Sequence, residues 1–241
     1  MRIDVLTLFP EMFQGPLNES LLKKALDKGL LSFNIVNIRD FASDKHKTAD
    51  DTPYGGGAGM VMKIDVAAKA LKSLGRREKH RIIYLCPTGL PLTQPKVNEL
   101  ANFQNLTLVC GHYEGIDARL ERLVDEKISI GDYVLTGGEI PAMVLIDAVA
   151  RQLPGVVKEA ASVENDSFYG ELLDYLAYTK PEDFEGEKVP EVLLSGNHAQ
   201  IERWRRKEAL RRTFYQRPEL LASLEPRAAD KELINEILTN G

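Results

Sequence analysis

The chain contains no run of 18 or more apolar residues, so it has no obvious membrane-spanning helix. It has only two cysteines, Cys86 and Cys110, far apart and each at the end of an apolar run. That usage fits buried free thiols better than a disulfide framework. The four histidines are scattered, with no HxxxH pair and no cysteine–histidine cluster, so no structural zinc site is expected. The first apolar run, Ile3 to Phe9, leads into Pro10-Glu11-Met12-Phe13 rather than Gly-x-Gly-x-x-Gly, which argues against a dinucleotide-binding first turn. The phosphate-loop pattern Gly-x-x-x-x-Gly-Lys-Ser/Thr is absent as well. There is no internal repeat, no low-complexity tract and no signal-peptide pattern at the N-terminus, so a cytoplasmic protein with no membrane partner is expected. The formal net charge of -5 does not advertise a polyanionic partner for the molecule as a whole.

What the chain does have is glycine set beside acidic and aromatic residues. Four clusters stand out: Tyr54 to Gly59, Gly111 to Gly115, Gly131 to Glu139, and Leu194 to His198. Glycine at this density lets backbone approach a ligand closely, and points to an enzyme holding a nucleotide-like cofactor. With 241 residues and 44% hydrophobic composition, the chain can bury one large or two modest cores. Strands are expected over Ile3–Phe9, Phe33–Ile38, Arg81–Cys86 (ended by Pro87) and Leu106–Cys110. Helices are expected over Asn18–Lys28, Lys63–Leu74, Gln94–Phe103, Ile116–Val124 and Ile140–Gln152, with one long loop over 39–60. Such alternation implies an α/β fold with a mainly parallel sheet, whose ligands bind beyond the carboxyl ends of the strands. The turns at Pro87-Thr88-Gly89 and Gly111–Gly115 fall there. After Pro154 the pattern changes to a linker without periodicity, then to short helices broken by Pro181, Pro190 and Pro218. Asn197 is placed to cap a helix with Gln200 three residues on, and Ile201, Trp204, Leu210 and Phe214 to supply its buried contacts.

Several of these strings resemble, in order and across essentially the whole chain, those of the bacterial tRNA (guanine-N1)-methyltransferase family of the SPOUT class. They are Leu8-Phe9-Pro10-Glu11-Met12-Phe13, Pro53 to Met60, Gly111 to Asp117, Ser129 to Glu139, and Leu193 to His198. The resemblance implies an α/β SPOUT domain over 1–160 with a C-terminal trefoil knot, a mobile linker over 161–172, and a small all-α tRNA-binding domain over 173–241. It also implies a homodimer with active sites between subunits. S-adenosylmethionine would lie in three knot loops, against Tyr84, Leu85 and Pro87, then Gly111, Tyr113, Glu114 and Gly115, then Ile130, Gly131, Tyr133, Leu135, Gly137, Gly138 and Pro141. Where the family often has Ser and Gln, this chain has Cys86 and Thr88. Main-chain contacts tolerate that difference.

The implied reaction is methyl transfer to N1 of guanine at tRNA position 37. The N1 proton must leave, and charge developing toward O6 must be stabilised. By the same resemblance, Asp166 matches the general base and Arg151 the O6-directed guanidinium. Mg²⁺ is a possible cofactor by resemblance, but the sequence shows no dedicated metal cage. The basic stretch Arg203, Arg205, Arg206, Lys207, Arg211, Arg212 suits phosphates of an anticodon stem, and Lys45, His46 and Lys47 form a smaller patch. Asp50 and glycines 55–59 are expected near the target guanine. Two rival readings are a SPOUT enzyme of another specificity, acting on ribose 2′-O or another base, and a non-catalytic RNA-binding module.

Overall fold

The computed structural model describes residues 1–158, 166–169, 172–224 and 228–240. The chain forms two compact units, Met1–Lys158 and Glu159–Gly241.

The first unit is built on a five-stranded parallel sheet in the order β2-β1-β6-β5-β7. Its strands are β1 (Arg2–Thr7), β2 (Ser32–Asn37), β5 (His80–Pro91), β6 (Asn105–Cys110) and β7 (Glu126–Ser129). A two-residue antiparallel pair, β3 (Asp50–Asp51) and β4 (Val61–Met62), stands apart from it. The helices are α1 (Ser20–Asp27), α2 (Ile64–Ser73), α3 (Gln94–Leu100) and α4 (Glu139–Gln152). Successive side chains of a strand point to opposite faces, so each central strand feeds two cores. Ile3, Val5, Ile83, Leu85, Leu106 and Leu108 pack with Leu22 and Ala25 of α1, Val97 and Leu100 of α3, and Leu145, Ile146 and Val149 of α4. Leu6, Ile82, Tyr84 and Val109 pack on the other face with Val66, Ala67, Ala70 and Leu71 of α2.

Three expectations for this unit change. Strand β5 does not end at Pro87 but runs to Pro91, with a register shift in which both Leu85 and Leu90 pair with Ile128. Residues 86–89 bulge out of the ladder, where Pro87, lacking an N–H, forfeits no sheet hydrogen bond. The stretch 116–124 is not an α-helix but a 3₁₀ turn, Ala118–Arg122. Gly115 and Asp117 are tied to Met62 by backbone hydrogen bonds of 2.9 and 3.1 Å, which hold that stretch extended until Asp117 caps the turn. The short strand β7 gave no apolar signal, because Ile128 is its only large hydrophobic residue. The expected loop 39–60 contains a 3₁₀ turn, Ile38–Phe41, and β3.

The second unit contains a hairpin, β8 (Asp183–Phe184) and β9 (Glu187–Lys188), so it is not all-α. Glu185 and Gly186 at its tip have φ of 55° and 91°, the positive pair that a two-residue turn requires. Among the described residues four helices follow: α5 (Glu191–Leu194), α6 (His198–Gln216), α7 (Pro218–Ser223) and α8 (Ala228–Asn240). Asn197 caps α6 by accepting a hydrogen bond from the Gln200 N–H at 3.3 Å. Leu172, Ala209, Leu210, Leu233 and Ile237 form the small core. Leu210 is thus buried as expected, whereas Ile201, Trp204 and Phe214 are only partly buried, and Trp204 rests beside Tyr178 with ring centroids 6.3 Å apart. Of the expected linker 161–172, residues 161–165, 170 and 171 lie outside the described residues.

The amino-end edge of the sheet carries a satisfied polar cluster. The buried Asp4 accepts from Arg2 at 2.9 Å, Asn34 at 2.7 Å and Arg77 at 2.7 Å. Burial pushes its carboxyl up, but these hydrogen bonds and the Arg77 charge together bring it below the usual range. His80 accepts from the Arg77 N–H on Nδ1, which leaves Nε2–H to donate to Thr107 Oγ1 at 2.8 Å. Burial, then the charges of Arg77 and Arg76, hold this imidazole below its ordinary value. A histidine kept neutral by the fold stabilises it above the unfolded value of about 6.5, and that contribution is lost as pH falls below it. The melting temperature should therefore drop more steeply between pH 7 and 5 in the wild type than in His80→Gln; equal slopes would show that His80 does not titrate with unfolding.

Candidate active site

The carboxyl ends of β5, β6 and β7 open into one cavity of about 350 Å³, within the range of roughly 300–1,000 Å³ usual for small-ligand sites. Three segments wall it. The β5 bulge contributes Tyr84, Leu85, Cys86, Pro87 and Thr88. The turn after β6 contributes Gly111, His112, Tyr113, Glu114 and Gly115. The segment after β7 contributes Ile130, Gly131, Tyr133, Leu135, Gly137, Gly138 and, on α4, Pro141. The structure thus brings together every residue that the sequence pointed to as cofactor wall. It adds Ile116, Ala118, Glu121 and Ser129, which lie outside the three loops expected to hold the cofactor. Ala118 and Glu121 reach the cavity because 118–122 is a 3₁₀ turn; read as an α-helix, that stretch gave no such signal.

The walls are close-packed backbone. A β-carbon on Gly138 would lie 2.8 Å from Cys110 Cα and 3.0 Å from Gly111 N, so only glycine fits. In return, the Gly138 N–H donates to the Gly111 carbonyl at 2.7 Å. A β-carbon on Gly89 would press harder still on the backbone nitrogen of Ile128. Tyr84 is buried under Gly111, its hydroxyl accepting from the Ile116 N–H at 3.3 Å, and burial raises its phenol above the ordinary value. Cys110 is fully buried, and burial, with the nearby Glu139 charge, pushes its thiol well up. It is an inert core thiol. Cys86 is partly exposed on the cavity wall, its sulfur 3.4 Å from Thr88 Oγ1.

The turn after β6 is held from outside. Tyr113, at φ 59°, takes a hydrogen bond on its hydroxyl from Arg39 at 3.0 Å, and Arg39 also lies 3.8 Å from Asp50. The Glu114 N–H donates to the Met60 carbonyl at 3.0 Å, and Gly59 lies against the Glu114 side chain. The glycine loop 55–59, with a fully exposed Tyr54 at its head, is therefore anchored directly to the cavity wall.

Arg151 stands in the last turn of α4, in the first unit, and Asp166 opens the turn 166–169 in the second. Within the second unit the Asp166 charge helps raise Asp174, after burial as the main cause. The basic stretch is less available than its composition suggests. Arg206 grips the buried Asp230 with two hydrogen bonds of 2.9 Å, Arg203 and Lys207 pair with Glu236, and Arg212 donates to the Asp174 carbonyl. Arg205 and Arg211 pair with Glu202 and Glu208, one turn away on the same helix, and the Arg205 guanidinium also lies 5.0 Å from the Tyr175 ring centroid. Lys47 is likewise paired, with Asp40 at 2.6 Å. Among the described residues no group of three or more His, Cys, Asp or Glu side chains is placed to hold a metal ion, and no helix is long and apolar enough to cross a membrane.

A parallel α/β sheet with a glycine-walled cavity beyond its last strands is the architecture of the SPOUT class. The family model for tRNA (Guanine-1)-methyltransferase TrmD matches residues 1–223, and the chain belongs to that family, whose members depend on S-adenosylmethionine. It is 55% identical to the tRNA (guanine-N(1)-)-methyltransferase of Desulforamulus reducens, over 98% of this chain and 95% of that protein. It is 53% identical to that of Dictyoglomus turgidum, over 98% and 96%, and 52% identical to that of Pelotomaculum thermopropionicum, over 100% and 97%.

The crossing at Gly138 is testable by a single β-carbon. Gly138→Ala should lower the melting temperature, by an overpacking cost of about 1–3 kcal/mol, and weaken S-adenosylmethionine binding. Gly15→Ala, with nothing within 4 Å and φ of -73°, should do neither. A Gly138→Ala protein with unchanged melting and cofactor affinity would show that the crossing has slack.

Proposed function

We propose that this chain methylates N1 of guanine at position 37 of tRNA, just 3′ of the anticodon, in the cytoplasm, as a homodimer with its active sites between subunits. The observation that carries this reading is the convergence of the β5 bulge and two sequence-distant glycine segments on one cavity in a chain of this family. The residues present suit S-adenosylmethionine: main-chain groups at Gly111, Gly137 and Gly138 for the adenine edge, Leu85, Ile130, Leu135 and Pro141 as apolar walls, and Glu114 for ribose hydroxyls or the positive end of the cofactor. When bound, S-adenosylmethionine supplies an electrophilic methyl group. The passage of residues 130–138 across the end of β6 is read as part of the SPOUT trefoil knot. Ile140 and Val144, exposed one turn apart on α4, offer an apolar face for self-association.

In this mechanism the base must be unstacked to present its Watson–Crick edge. Asp166 takes the N1 proton, and the Arg151 guanidinium stabilises the charge that develops on O6. A base ordered by arriving tRNA would limit transfer to other nucleophiles. The carboxylates among the described residues are not gathered into a cage for Mg²⁺, so no step is routed through such an ion.

Incubation with labelled S-adenosylmethionine and unmodified tRNA carrying guanines at 36 and 37 should yield 1-methylguanine at 37. A 2′-O-methyl product would instead establish another SPOUT specificity, and absence of cofactor binding at millimolar concentration would favour a non-catalytic RNA-binding module. Under single turnover at saturating tRNA, Asp166→Ala should lower the transfer rate by about 10²-fold or more with binding retained. A near-normal rate there would make Asp166 a recognition residue.

The two arginine types in α6 should separate. Arg205→Ala should weaken tRNA binding and reduce its salt slope by about one. Arg206→Ala should chiefly destabilise the helical unit, by about 1–3 kcal/mol, since it strips hydrogen bonds from a buried carboxylate. The opposite assignment in melting and salt-titration curves would reverse these roles.

A further inference from the structure

The first residue of α4, Glu139, is 1% exposed and faces away from solvent. Its carboxylate does not line the cavity, yet it touches the elements that form the wall. Oε1 accepts from the Thr7 hydroxyl at 2.8 Å, and Thr7 Oγ1 in turn accepts from the Phe9 N–H at 2.9 Å. Oε2 lies 3.7 Å from Nδ1 of His112, a buried ring nitrogen with no hydrogen-bond partner. The His112 ring is packed against Phe9, with centroids 4.6 Å apart. Gly137 pairs with His112 in an antiparallel bridge, and any side chain at 137 would collide with both the Glu139 carboxylate and the His112 ring.

A buried carboxylate carries a large desolvation cost unless its neighbours compensate. Here the compensation comes from the Thr7 hydroxyl and from the positive end of the 14-residue helix α4, and the His112 ring edge is the third neighbour, 3.7 Å away. These three partners belong to the end of β1, the start of α4 and the turn after β6. A single side chain therefore joins the sheet to the two segments whose backbone walls the cavity. Hydrophobic packing alone would not set the 111–115 turn against the 137–138 segment, because glycines occupy the contact and contribute no side chains.

We infer that Glu139 is a positioning residue for the cofactor: through Thr7 and His112 it holds Gly111–His112 and Gly137–Gly138 in register. This rests on the reading that the cavity takes S-adenosylmethionine. The role is geometric, so an uncharged side chain that still accepts from Thr7 retains it.

Calorimetric titration of S-adenosylmethionine into the full-length protein tests this with two pairs of variants. Glu139→Ala should raise the Kd about tenfold or more, and Thr7→Val about three- to tenfold, the loss expected for one or two buried polar contacts. Glu139→Gln and Thr7→Ser should each stay within about threefold of wild type, because each keeps the Thr7-to-139 hydrogen bond. Affinity for tRNA, measured without cofactor, should not move. Amide exchange of cofactor-free protein supplies an independent reading: the Gly138 N–H should exchange faster in Glu139→Ala and Thr7→Val only. Cofactor affinity unchanged in a folded Glu139→Ala protein would overturn the inference. So would Glu139→Gln behaving like Glu139→Ala while Thr7→Val is neutral, since the charge and not the geometry would then matter. Wild-type protein that fails to bind S-adenosylmethionine would remove the cofactor reading, and the positioning role with it; wild-type binding with unaffected variants removes only the latter.

Discussion

The passage of Gly137 and Gly138 over the carboxyl end of β6 is the constraint on which the rest of the site depends. The chain can pass there only because two successive residues lack side chains, and because the Gly138 N–H finds the Gly111 carbonyl at 2.7 Å. That crossing fixes where α4 begins. It aims the positive end of the helix toward the cavity and places Glu139 beneath it. It also sets the position of Arg151, twelve residues on and hence about 18 Å along the helix axis. The proposed electrostatic catalyst and the proposed cofactor wall thus share one mechanical origin, and a change at the crossing is transmitted to both.

The two ends of the sheet divide the physical tasks between them. At the amino end, Asp4, Arg2, Asn34 and Arg77 satisfy one another, as do His80 and Thr107, and the result is a closed polar cluster with little to offer a ligand. At the carboxyl end, glycine segments leave backbone unobstructed and Tyr113, Tyr133 and Leu135 partly exposed. A parallel sheet favours this division, because its strands all deliver their following turns to the same edge.

The strands and helices that carry long apolar runs were legible in the sequence: β1, β2 and β6 and helices α1 to α4 fall within a few residues of their expected spans. What escaped was decided by contacts far away in sequence. Strand β7, with Ile128 alone to mark it, exists because β5 offers it a ladder beyond a bulge. The stretch 116–124 has helical spacing, but hydrogen bonds to Met62 hold its start extended. The hairpin at 183–188 was marked only by Glu185-Gly186. For the site, glycine clustering located the wall, whereas the residues that act through geometry, Glu139 and Thr7, are buried polar groups that no local pattern distinguishes from a helix start and a strand end.

The helical unit shows why a basic run is poor evidence of a basic surface. Arg203, Arg206 and Lys207 face α8, and the carboxylates of Asp230 and Glu236 neutralise them. Asp230 is buried, so Arg206 cannot leave it without exposing that carboxylate to an apolar surround. Arg205 and Arg211 are differently placed. Their partners, Glu202 and Glu208, are one helical turn away, but Glu208 is largely covered; the exposed pair, Arg205 with Glu202, contributes only about 0–1 kcal/mol. A phosphate can displace such a partner at little cost, and the released carboxylate remains solvated. In a protein of net charge -5, the arginines able to meet a polyanion are those whose present partners bind them weakly. By that criterion Arg205 is the arginine of the basic stretch best suited to RNA, and the inward side of α6 is structural.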